Sequence, residues 1–235
     1  MSENSSPINL SVFFPSYNEE GNIAATVENA RRVLRSLKLR YEILIVDDGS
    51  NDRTGEIAEV LARKYPEVKV FHKQNGGYGT ALRAGFEKSG YDWIVYTDAD
   101  GQFDLAEINK FLEKAQAADY IIGYRIKRQD PLYRLIFARL WAFSVFLLFG
   151  IWVKDLDCGF KMIHKRVLRK IPALTSTRGA MINAELLIKA KRAGFKIVQV
   201  GVNHYPRKAG QPTGASIRVI FKSYLELFKL WFKLI

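Results

Sequence analysis

The chain has 235 residues, 48% of them hydrophobic, which is enough for one large domain or for one domain with an appendage. Its formal net charge of +12 indicates an anionic partner, such as phosphorylated substrates, nucleic acid or an acidic membrane surface. The single cysteine, Cys158, excludes an intrachain disulfide and favours a reducing compartment, and residues 1–9 lack a signal-peptide pattern.

Apolar runs alternate along the chain with segments of helical periodicity. This alternation predicts an α/β fold, with a mostly parallel, Rossmann-like sheet flanked by crossover helices. We expect strands at 8–14, 41–46, 68–72, 93–96, 120–123 and 195–202, and helices at 18–37, 54–64, 104–117 and 181–193, with a further helix ending near 88.

Each of the first four predicted strands is followed by a loop of polar residues and glycines. Because the carboxyl ends of strands in an open α/β sheet border one crevice, we expect these loops to line a common site. Asn, Asp, Gly and Ser are also ordinary turn and cap residues, so each loop taken singly is equally typical of a structural turn. The loops cover residues 15–20, 47–52, 75–79 and 98–102.

The loop after the fourth strand carries two carboxylates one residue apart. If the strand geometry continues into the loop, Asp98 and Asp100 point the same way, and Ala99 between them points into the protein. Two such carboxylates repel each other unless a cation lies between them, and oxygen ligands suit Mg²⁺ or Mn²⁺. Gln102 adds a neutral oxygen. A polar turn without a metal is the alternative.

A nucleotide at this edge would not be held by a glycine-rich first loop, because neither G-x-G-x-x-G nor a Walker A sequence occurs. Its diphosphate would instead meet a cation at Asp98 and Asp100, which would stabilise a departing nucleoside diphosphate. Asp48 would accept a hydrogen bond from the base or the ribose. The base would be walled by Pro15, Tyr17 and Glu19.

Three stretches, at 14–20, 46–54 and 97–100, resemble the nucleotide-sugar half of the family 2 glycosyltransferases with the GT-A fold. The segments 100–102 and 157–161 resemble more narrowly the dolichyl- and polyprenyl-phosphate sugar transferases, among them the dolichol-phosphate mannose synthases. The resemblance spans about residues 8–217.

The resemblance implies a GT-A catalytic domain that transfers a sugar, with inversion, from a UDP- or GDP-sugar. It implies a divalent cation, Mg²⁺ or Mn²⁺. It also implies contacts to the base and ribose from Pro15, Tyr17, Glu19 and Asp48, and to the metal or diphosphate from Asp98, Asp100 and Gln102.

Three cations at 125–128 follow the fifth predicted strand, which is typical either of a solvated basic turn or of an anion site. Arg125 matches the position at which the family places an arginine for the acceptor phosphate, and Arg139 is a second candidate for that phosphate. Asp157 would orient an acceptor-site cation or bind sugar hydroxyls. We therefore take Asp100, Arg125 and Asp157 as the candidate catalytic residues.

Arg139 is the only charged residue between 135 and 153, and aromatic residues recur along this segment. Its length approaches the ~20 residues that span a bilayer. Spanning the bilayer, packing in the core or a dimer face, and lying in the membrane interface are the three alternatives. Spanning would place the downstream catalytic segment on the wrong side, and the resemblance favours an interface helix over about 131–153.

A loop rich in glycine, proline and cations follows at 204–214, which is typical of a lid over phosphates or of a mobile surface loop. His204 is more typical of a structural histidine. The resemblance implies that an arginine here helps to hold the diphosphate. Arg207 is our first choice for that role, and Lys208 is the second.

Residues 216–235 show apolar spacings of three and four with interleaved cations, which predicts a basic amphipathic helix on an anionic membrane surface. We divide the chain into a catalytic domain at 1–215, with the interface helix inserted, and this helix. We expect a peripheral enzyme at the cytoplasmic face of a membrane, with a homo-oligomer as an option. Many relatives continue into transmembrane helices, so a shortened sequence is the alternative.

The chemical class of the acceptor depends on whether the chain supplies a general base. A phosphate is already a nucleophile near neutral pH, whereas a sugar hydroxyl needs a carboxylate within hydrogen-bond reach. Glu185 is the only nearby acid on the helix at 181–193, which favours a polyprenyl or dolichyl phosphate as the acceptor. A hydroxyl acceptor is the first rival. A nucleic-acid-binding protein is the second, and the lack of an RNP or helix-turn-helix pattern argues against it. A non-catalytic membrane module is the third.

Overall fold

The computed structural model describes residues 8–126, 128, 132–207, 209–210 and 217–234. They form a seven-stranded sheet with the order β3-β2-β1-β4-β6-β5-β7 and helices around it. The strands are β1 (Asn9–Ser16), β2 (Arg40–Asp47), β3 (Val68–His72), β4 (Trp93–Tyr96), β5 (Tyr120–Arg125), β6 (Lys161–His164) and β7 (Ile197–Val202). The helices are α1 (Ile23–Ser36), α2 (Thr54–Lys64), α3 (Tyr78–Lys88), α4 (Ile108–Leu112), α5 (Leu132–Phe149), α6 (Lys165–Lys170), α7 (Gly179–Arg192) and α8 (Ile217–Leu234).

The predicted α/β class is confirmed. The pairs β1–β2, β2–β3, β1–β4 and β5–β7 are parallel, and β6 runs antiparallel to both of its neighbours, β4 and β5. Since β1 to β4 lie side by side and point the same way, the loops that follow them share one edge of the sheet. This is the arrangement that the four polar loops predicted.

The central strands are apolar on both faces because helices cover both sides of the sheet. Along β1, Val12 and Phe14 belong to one buried cluster and Phe13 to the other, as the two-residue period of a strand requires. On one side, the Phe13 ring stacks on the ring of Tyr96 at a centroid distance of 5.5 Å. The sheet is therefore a rigid base for the loops at its carboxyl edge.

Two predicted helices differ from those observed. The first begins at Ile23 rather than near Asn18, because Asn18 has a left-handed φ of 55° and belongs to the loop. The predicted helix at 104–117 is a short 3₁₀ turn, Leu105–Glu107, followed by α4. After α4 the backbone closes i to i+3 bonds, such as Ala115 N to Leu112 O at 3.1 Å, which end the α-helix. Helix α6 was not predicted.

Helices α5 and α8 lie against each other, with the rings of Trp141 and Tyr224 edge to face at 5.2 Å. Helix α5 buries Trp141, Ala142 and Val145 and leaves other large apolar side chains exposed. Among the described residues, no helix combines the length and the apolar character that crossing a membrane requires.

Candidate active site

The loops after β1 and β2 are joined by hydrogen bonds into one wall. Asn18 N donates to Ser50 Oγ at 3.0 Å, and Asn51 N donates to Asn18 Oδ1 at 2.9 Å. Next to them, Glu19 N donates to Thr54 Oγ1 at 2.7 Å. These reciprocal bonds hold the predicted base-binding residues on a fixed frame. Pro15 is buried in that frame, and Tyr17 is exposed at its surface.

Asp48 lies at the end of β2 and is buried. Its two carboxylate oxygens accept from Gly76 N at 3.0 Å and Gly77 N at 2.9 Å, and Lys73 Nζ is paired with it. Gly77 has a φ of 88°, a conformation that favours glycine. Asp48 thus fixes the glycine-rich loop in this structure, and its contact to a base or ribose stays a prediction.

The Asp98–Asp100 loop buries its middle residue, whereas a common direction of the two carboxylates stays a prediction. Ala99 is buried between the two carboxylates, and the Tyr78 hydroxyl donates to Asp98 Oδ1 at 2.9 Å. The backbone of Gly159 closes the other side, because a Cβ added there would lie 2.2 Å from Asp98 Oδ2. Asp98 is therefore held between the start of α3 and the segment before β6.

Asp100 is 8% exposed, and its Oδ1 accepts from Gln102 N at 3.0 Å. Burial and, next, the charge of Asp98 raise the pKa of Asp100 to about 7. A carboxylate pair that resists ionisation in this way is stabilised in its charged form by a nearby cation. The electrostatics therefore fit a positive ligand at this position.

The donor set fits a divalent cation that is also held by its substrate. Across the parts of the chain that the structure describes, no group of three or more His, Cys, Asp or Glu side chains is placed to hold a metal by itself. Mg²⁺ usually takes one or two carboxylates and completes its shell with water and substrate phosphates. Asp98 and Asp100 supply that number. Gln102 donates its amide nitrogen to Tyr205 O at 3.0 Å, which leaves its amide oxygen as the group for a cation.

Arg207 reaches this site from the loop after β7. Its Nη2 lies 2.5 Å from Glu19 Oε1, and its Nη1 lies 3.4 Å from Asp100 Oδ2. Its Nε donates to Ala209 O at 2.6 Å, which fixes the side chain. The structure thus brings together Arg207, Glu19 and Asp100, all predicted for the donor site. Lys208 lies outside the described residues.

Arg125 is held in a buried ion pair with Asp155. Its Nε and Nη2 donate to the two carboxylate oxygens at 2.6 and 2.9 Å, and Arg128 lies 3.5 Å from the same carboxylate. Burial alone would raise the pKa of Asp155, but the hydrogen bonds and charge of Arg125 hold it below its usual value. Asp155 therefore orients the arginine predicted for the acceptor phosphate.

Asp157 lies in the same region, and within the described residues its buried Oδ1 has no hydrogen-bond partner. Burial and the charge of Asp155 raise its pKa to about 6. Beside it, the buried Lys161 donates to Asn183 Oδ1 at 2.7 Å, and burial lowers the pKa of Lys161. Asp157 is thus a desolvated carboxylate with an unused acceptor atom.

Glu185, the candidate base for a hydroxyl acceptor, is occupied by the protein itself. It is 1% exposed and accepts from Ser176 N at 2.8 Å, from Thr175 N at 3.1 Å and from Lys189 Nζ at 2.6 Å. Its role is to hold the segment before α7. Arg139 is exposed on α5, and its contact to the acceptor phosphate stays a prediction.

Several polar residues at the site were missed in the sequence. Tyr78 stands in the glycine-rich loop, and Asp155 and Lys161 lie near Asp157 in the sequence, but their residue types alone indicate no role. Their closeness in the sequence to predicted site residues is the signal that could have identified them. For Asn183 and Lys73 the sequence contains no such signal, because their contacts to Lys161 and Asp48 link elements that are distant in the sequence.

The mostly parallel sheet and its flanking helices form a fold of the GT-A type. The fold is similar to that of glucosyl-3-phosphoglycerate synthase from Mycobacterium tuberculosis in complex with Mn²⁺, uridine diphosphate and glucosyl-3-phosphoglycerate. The TM-score is 0.68 at 20% identity, over 93% of this chain and 79% of that chain. The complex of the same synthase with Mg²⁺ and uridine diphosphate also has a TM-score of 0.68.

Residues 11–172 match the model of glycosyl transferase family 2, and the chain belongs to this family. It is 32% identical to polyprenol monophosphomannose synthase of Mycolicibacterium smegmatis, over 88% of this chain and 82% of the relative. It is 31% identical to dolichyl-phosphate beta-glucosyltransferase of Dictyostelium discoideum, over 86% and 68%. It is 29% identical to undecaprenyl-phosphate mannosyltransferase of Micrococcus luteus, over 84% of each chain. The predicted family is thereby confirmed, and the protein is a glycosyltransferase.

Proposed function

We propose that the protein transfers a sugar from a UDP- or GDP-sugar to a polyprenyl or dolichyl phosphate at a membrane surface. The observation that supports the nucleotide-sugar donor site is the contact of Arg207 with Asp100, next to Asp98, at the carboxyl edge of the sheet. The acceptor half is supported by the relatives, whose names specify polyprenol, dolichyl and undecaprenyl phosphates.

The donor diphosphate would lie between Arg207 and the Asp98–Asp100 pair, and the base would lie against the wall that carries Tyr17 and Asp48. Mn²⁺ or Mg²⁺, when bound by Asp98, Asp100 and Gln102, would offset the charge that develops on the leaving diphosphate. The solved neighbours with uridine diphosphate and either metal support this assignment. Arg207 would exchange its contacts to Glu19 and Asp100 for the diphosphate.

The acceptor phosphate would be held by Arg125, whose guanidinium group is oriented by its ion pair with Asp155. An oxygen of that phosphate forms the bond to the anomeric carbon while the bond from that carbon to the diphosphate breaks on the opposite face. The configuration therefore inverts, and no proton needs to be removed. Glu185 is not available as a base, which favours this acceptor over a sugar hydroxyl.

Asp157 would bind a hydroxyl of the sugar or a donor group of the acceptor through its unused oxygen. A buried acceptor atom gains more from such a bond than one in water does. Asp157 therefore acts in substrate positioning close to the arginine that meets the acceptor.

Exposed apolar side chains on α5 and α8 support membrane attachment. Because α5 and α8 lie against each other, these side chains form a connected surface, here called the apolar platform. Large exposed apolar patches mark interaction sites, and helices of this type lie in the bilayer interface. The platform comprises Tyr133, Ile136, Phe137, Leu140, Phe143, Leu147, Leu225, Phe228 and Phe232. We place it on the cytoplasmic face of the membrane, as a peripheral attachment.

The donor site is tested by calorimetry with UDP, GDP and their sugars, with and without Mn²⁺, followed by product analysis with a short polyprenyl phosphate. Asp100→Ala should lose metal-dependent nucleotide binding and transfer while its circular dichroism is unchanged. Asp92→Ala is the matched control, because Asp92 is exposed next to the amino end of the same strand. Near-normal transfer by Asp100→Ala would overturn the metal assignment, and a glycosylated hydroxyl product would overturn the acceptor.

A further inference from the structure

A groove lies between α7, α8 and the segment 172–177 that precedes α7. It encloses about 510 Å³ and continues past Pro172 into a second cavity of about 380 Å³. Its walls include Ala173, Met181 and Leu230. The segment 172–177 is also tied to the start of α3, because Thr177 O accepts from Gly79 N at 2.9 Å.

Basic side chains line a large part of the groove. Its acids are already paired, Glu185 with Lys189 and Glu226 with Arg178. Lys229 and Lys233 on α8 and Arg192 at the end of α7 line the two cavities. Within the described part of the chain, none of these three has an acidic partner at salt-bridge distance. The groove is therefore complementary to an anion.

The position of these lysines on α8 indicates where that anion comes from. Lys222, Lys229 and Lys233 are spaced by seven and four residues, so they form one stripe along the helix. Beside the stripe, Phe228 and Phe232 are exposed in the apolar platform. When the aromatic side chains enter a bilayer, lysines next to them lie at the level of the phosphate headgroups.

We propose that this groove binds the phosphate headgroup of an anionic membrane phospholipid, apart from the donor and acceptor sites. The proposal rests on the membrane attachment proposed above and goes beyond the sugar transfer. Lys229 and Lys233 would contact the phosphate from α8, and Arg192 would contact it from α7. Such a contact clamps α8 onto α7 at the membrane surface.

The full chain is tested by co-sedimentation with vesicles of pure phosphatidylcholine and with vesicles that also contain phosphatidylglycerol. The unmodified protein should bind both, and more tightly when the anionic lipid is present. Lys229→Gln and Lys233→Gln should each lose about fivefold of the anionic gain and keep the binding to neutral vesicles. Lys222→Gln removes the same charge from the same stripe outside the groove, and it should keep most of the gain. Ala173→Phe fills the groove without a change of charge, and it should lose the gain.

Other outcomes separate the alternatives. An equal loss in Lys222→Gln, or an unchanged gain in Ala173→Phe, would show diffuse surface attraction and overturn the groove. Abolition of the gain by soluble glycerol phosphate at the same phosphate concentration would identify a free phosphate as the ligand and overturn the lipid. Binding to neutral vesicles without an anionic gain would overturn the groove and leave the membrane attachment intact. Binding to neither would overturn both, while transfer to a short acceptor would still test the catalytic proposal.

Discussion

The guanidinium of Arg207 lies 2.5 Å from the carboxylate of Glu19, a contact that joins two residues 188 positions apart in the chain. It ties the loop after β7 to the loop after β1. The same guanidinium reaches Asp100 at 3.4 Å, so it occupies the position of a counter-ion beside the proposed metal site. A metal and a diphosphate must therefore displace a contact that the protein already makes.

This competition predicts that Arg207→Gln binds Mn²⁺ more tightly than the unmodified protein when no nucleotide is present. Because the cation no longer has to displace a charge-assisted contact, the affinity for Mn²⁺ should rise roughly tenfold. The same variant should bind UDP or GDP more weakly, because the diphosphate loses a cation. Calorimetry with Mn²⁺ alone and then with nucleotide measures both effects. Arg53→Gln, which removes an exposed arginine paired with Glu56, is the control. Unchanged metal affinity in Arg207→Gln would refute the competition.

Because Glu185 and Lys189 form a buried ion pair, replacing Glu185 should lower the stability of the protein without lowering its catalytic activity. Burial alone would raise the pKa of Glu185, but Lys189 and the amides of residues 175 and 176 hold it below its usual value. Its stabilising contribution is therefore present at neutral pH and is lost as the pH falls through the lowered folded-state pKa. Glu185→Gln leaves Lys189 buried without a counter-ion and should lower the free energy of unfolding by about 3 kcal/mol.

Turnover per folded molecule should stay near normal in Glu185→Gln, since the carboxylate only holds the segment before α7. The double variant Glu185→Gln/Lys189→Met removes both charges and should recover much of the stability. Denaturant unfolding and a transfer assay at low temperature distinguish the two effects. A fully folded but inactive Glu185→Gln would instead identify a general base and a hydroxyl acceptor.

Asp157 and Asp155 should respond to pH with opposite signs. The pKa of Asp157 is raised to about 6, from about 3.9 in an unfolded chain. The folded state then binds the proton more tightly, so the free energy of unfolding falls as the pH rises from about 4 to about 6. Asp157→Asn should remove this pH dependence and raise the free energy of unfolding by up to about 3 kcal/mol at neutral pH. The same variant should lose sugar transfer.

Asp155→Asn is the matched control, because the pKa of Asp155 is lowered by its pairing with Arg125. This variant should be less stable than the unmodified protein at neutral pH, and the difference should shrink in acid as the native carboxylate takes up its proton. Urea unfolding at two pH values measures both variants. A stabilising Asp155→Asn, or an Asp157→Asn that gains nothing at neutral pH, would contradict the assigned electrostatics.

The loops of the proposed donor site could be located because their positions depend on local patterns. Apolar runs locate the ends of β1 to β4, and parallel pairing brings those ends to one edge, so Asp48, Asp98 and Asp100 followed from the sequence. The partners of the charged side chains did not. Arg125 meets Asp155 only because the chain makes a long excursion through α5 and returns as an antiparallel strand, a register that no local pattern encodes. Likewise, the left-handed Asn18 delays α1 through contacts with a loop 32 residues away.

The apolar platform predicts that vesicle binding depends on individual aromatic side chains of α8. Phe228 and Phe232 are 46% and 72% exposed, so replacing Phe232 removes little buried surface. Transfer of a phenylalanine side chain out of water contributes about 1.5–3 kcal/mol, so Phe232→Ser should weaken binding to neutral vesicles by about tenfold or more. Transfer to a polyprenyl phosphate embedded in vesicles should fall in step, whereas transfer to a short acceptor in solution should not change. Val60→Ser, which removes a 54% exposed apolar side chain from α2, should leave vesicle binding as it was. Equal losses in Phe232→Ser and Val60→Ser, or a drop in melting temperature that accounts for the lost binding, would show that α8 does not enter the bilayer through this face.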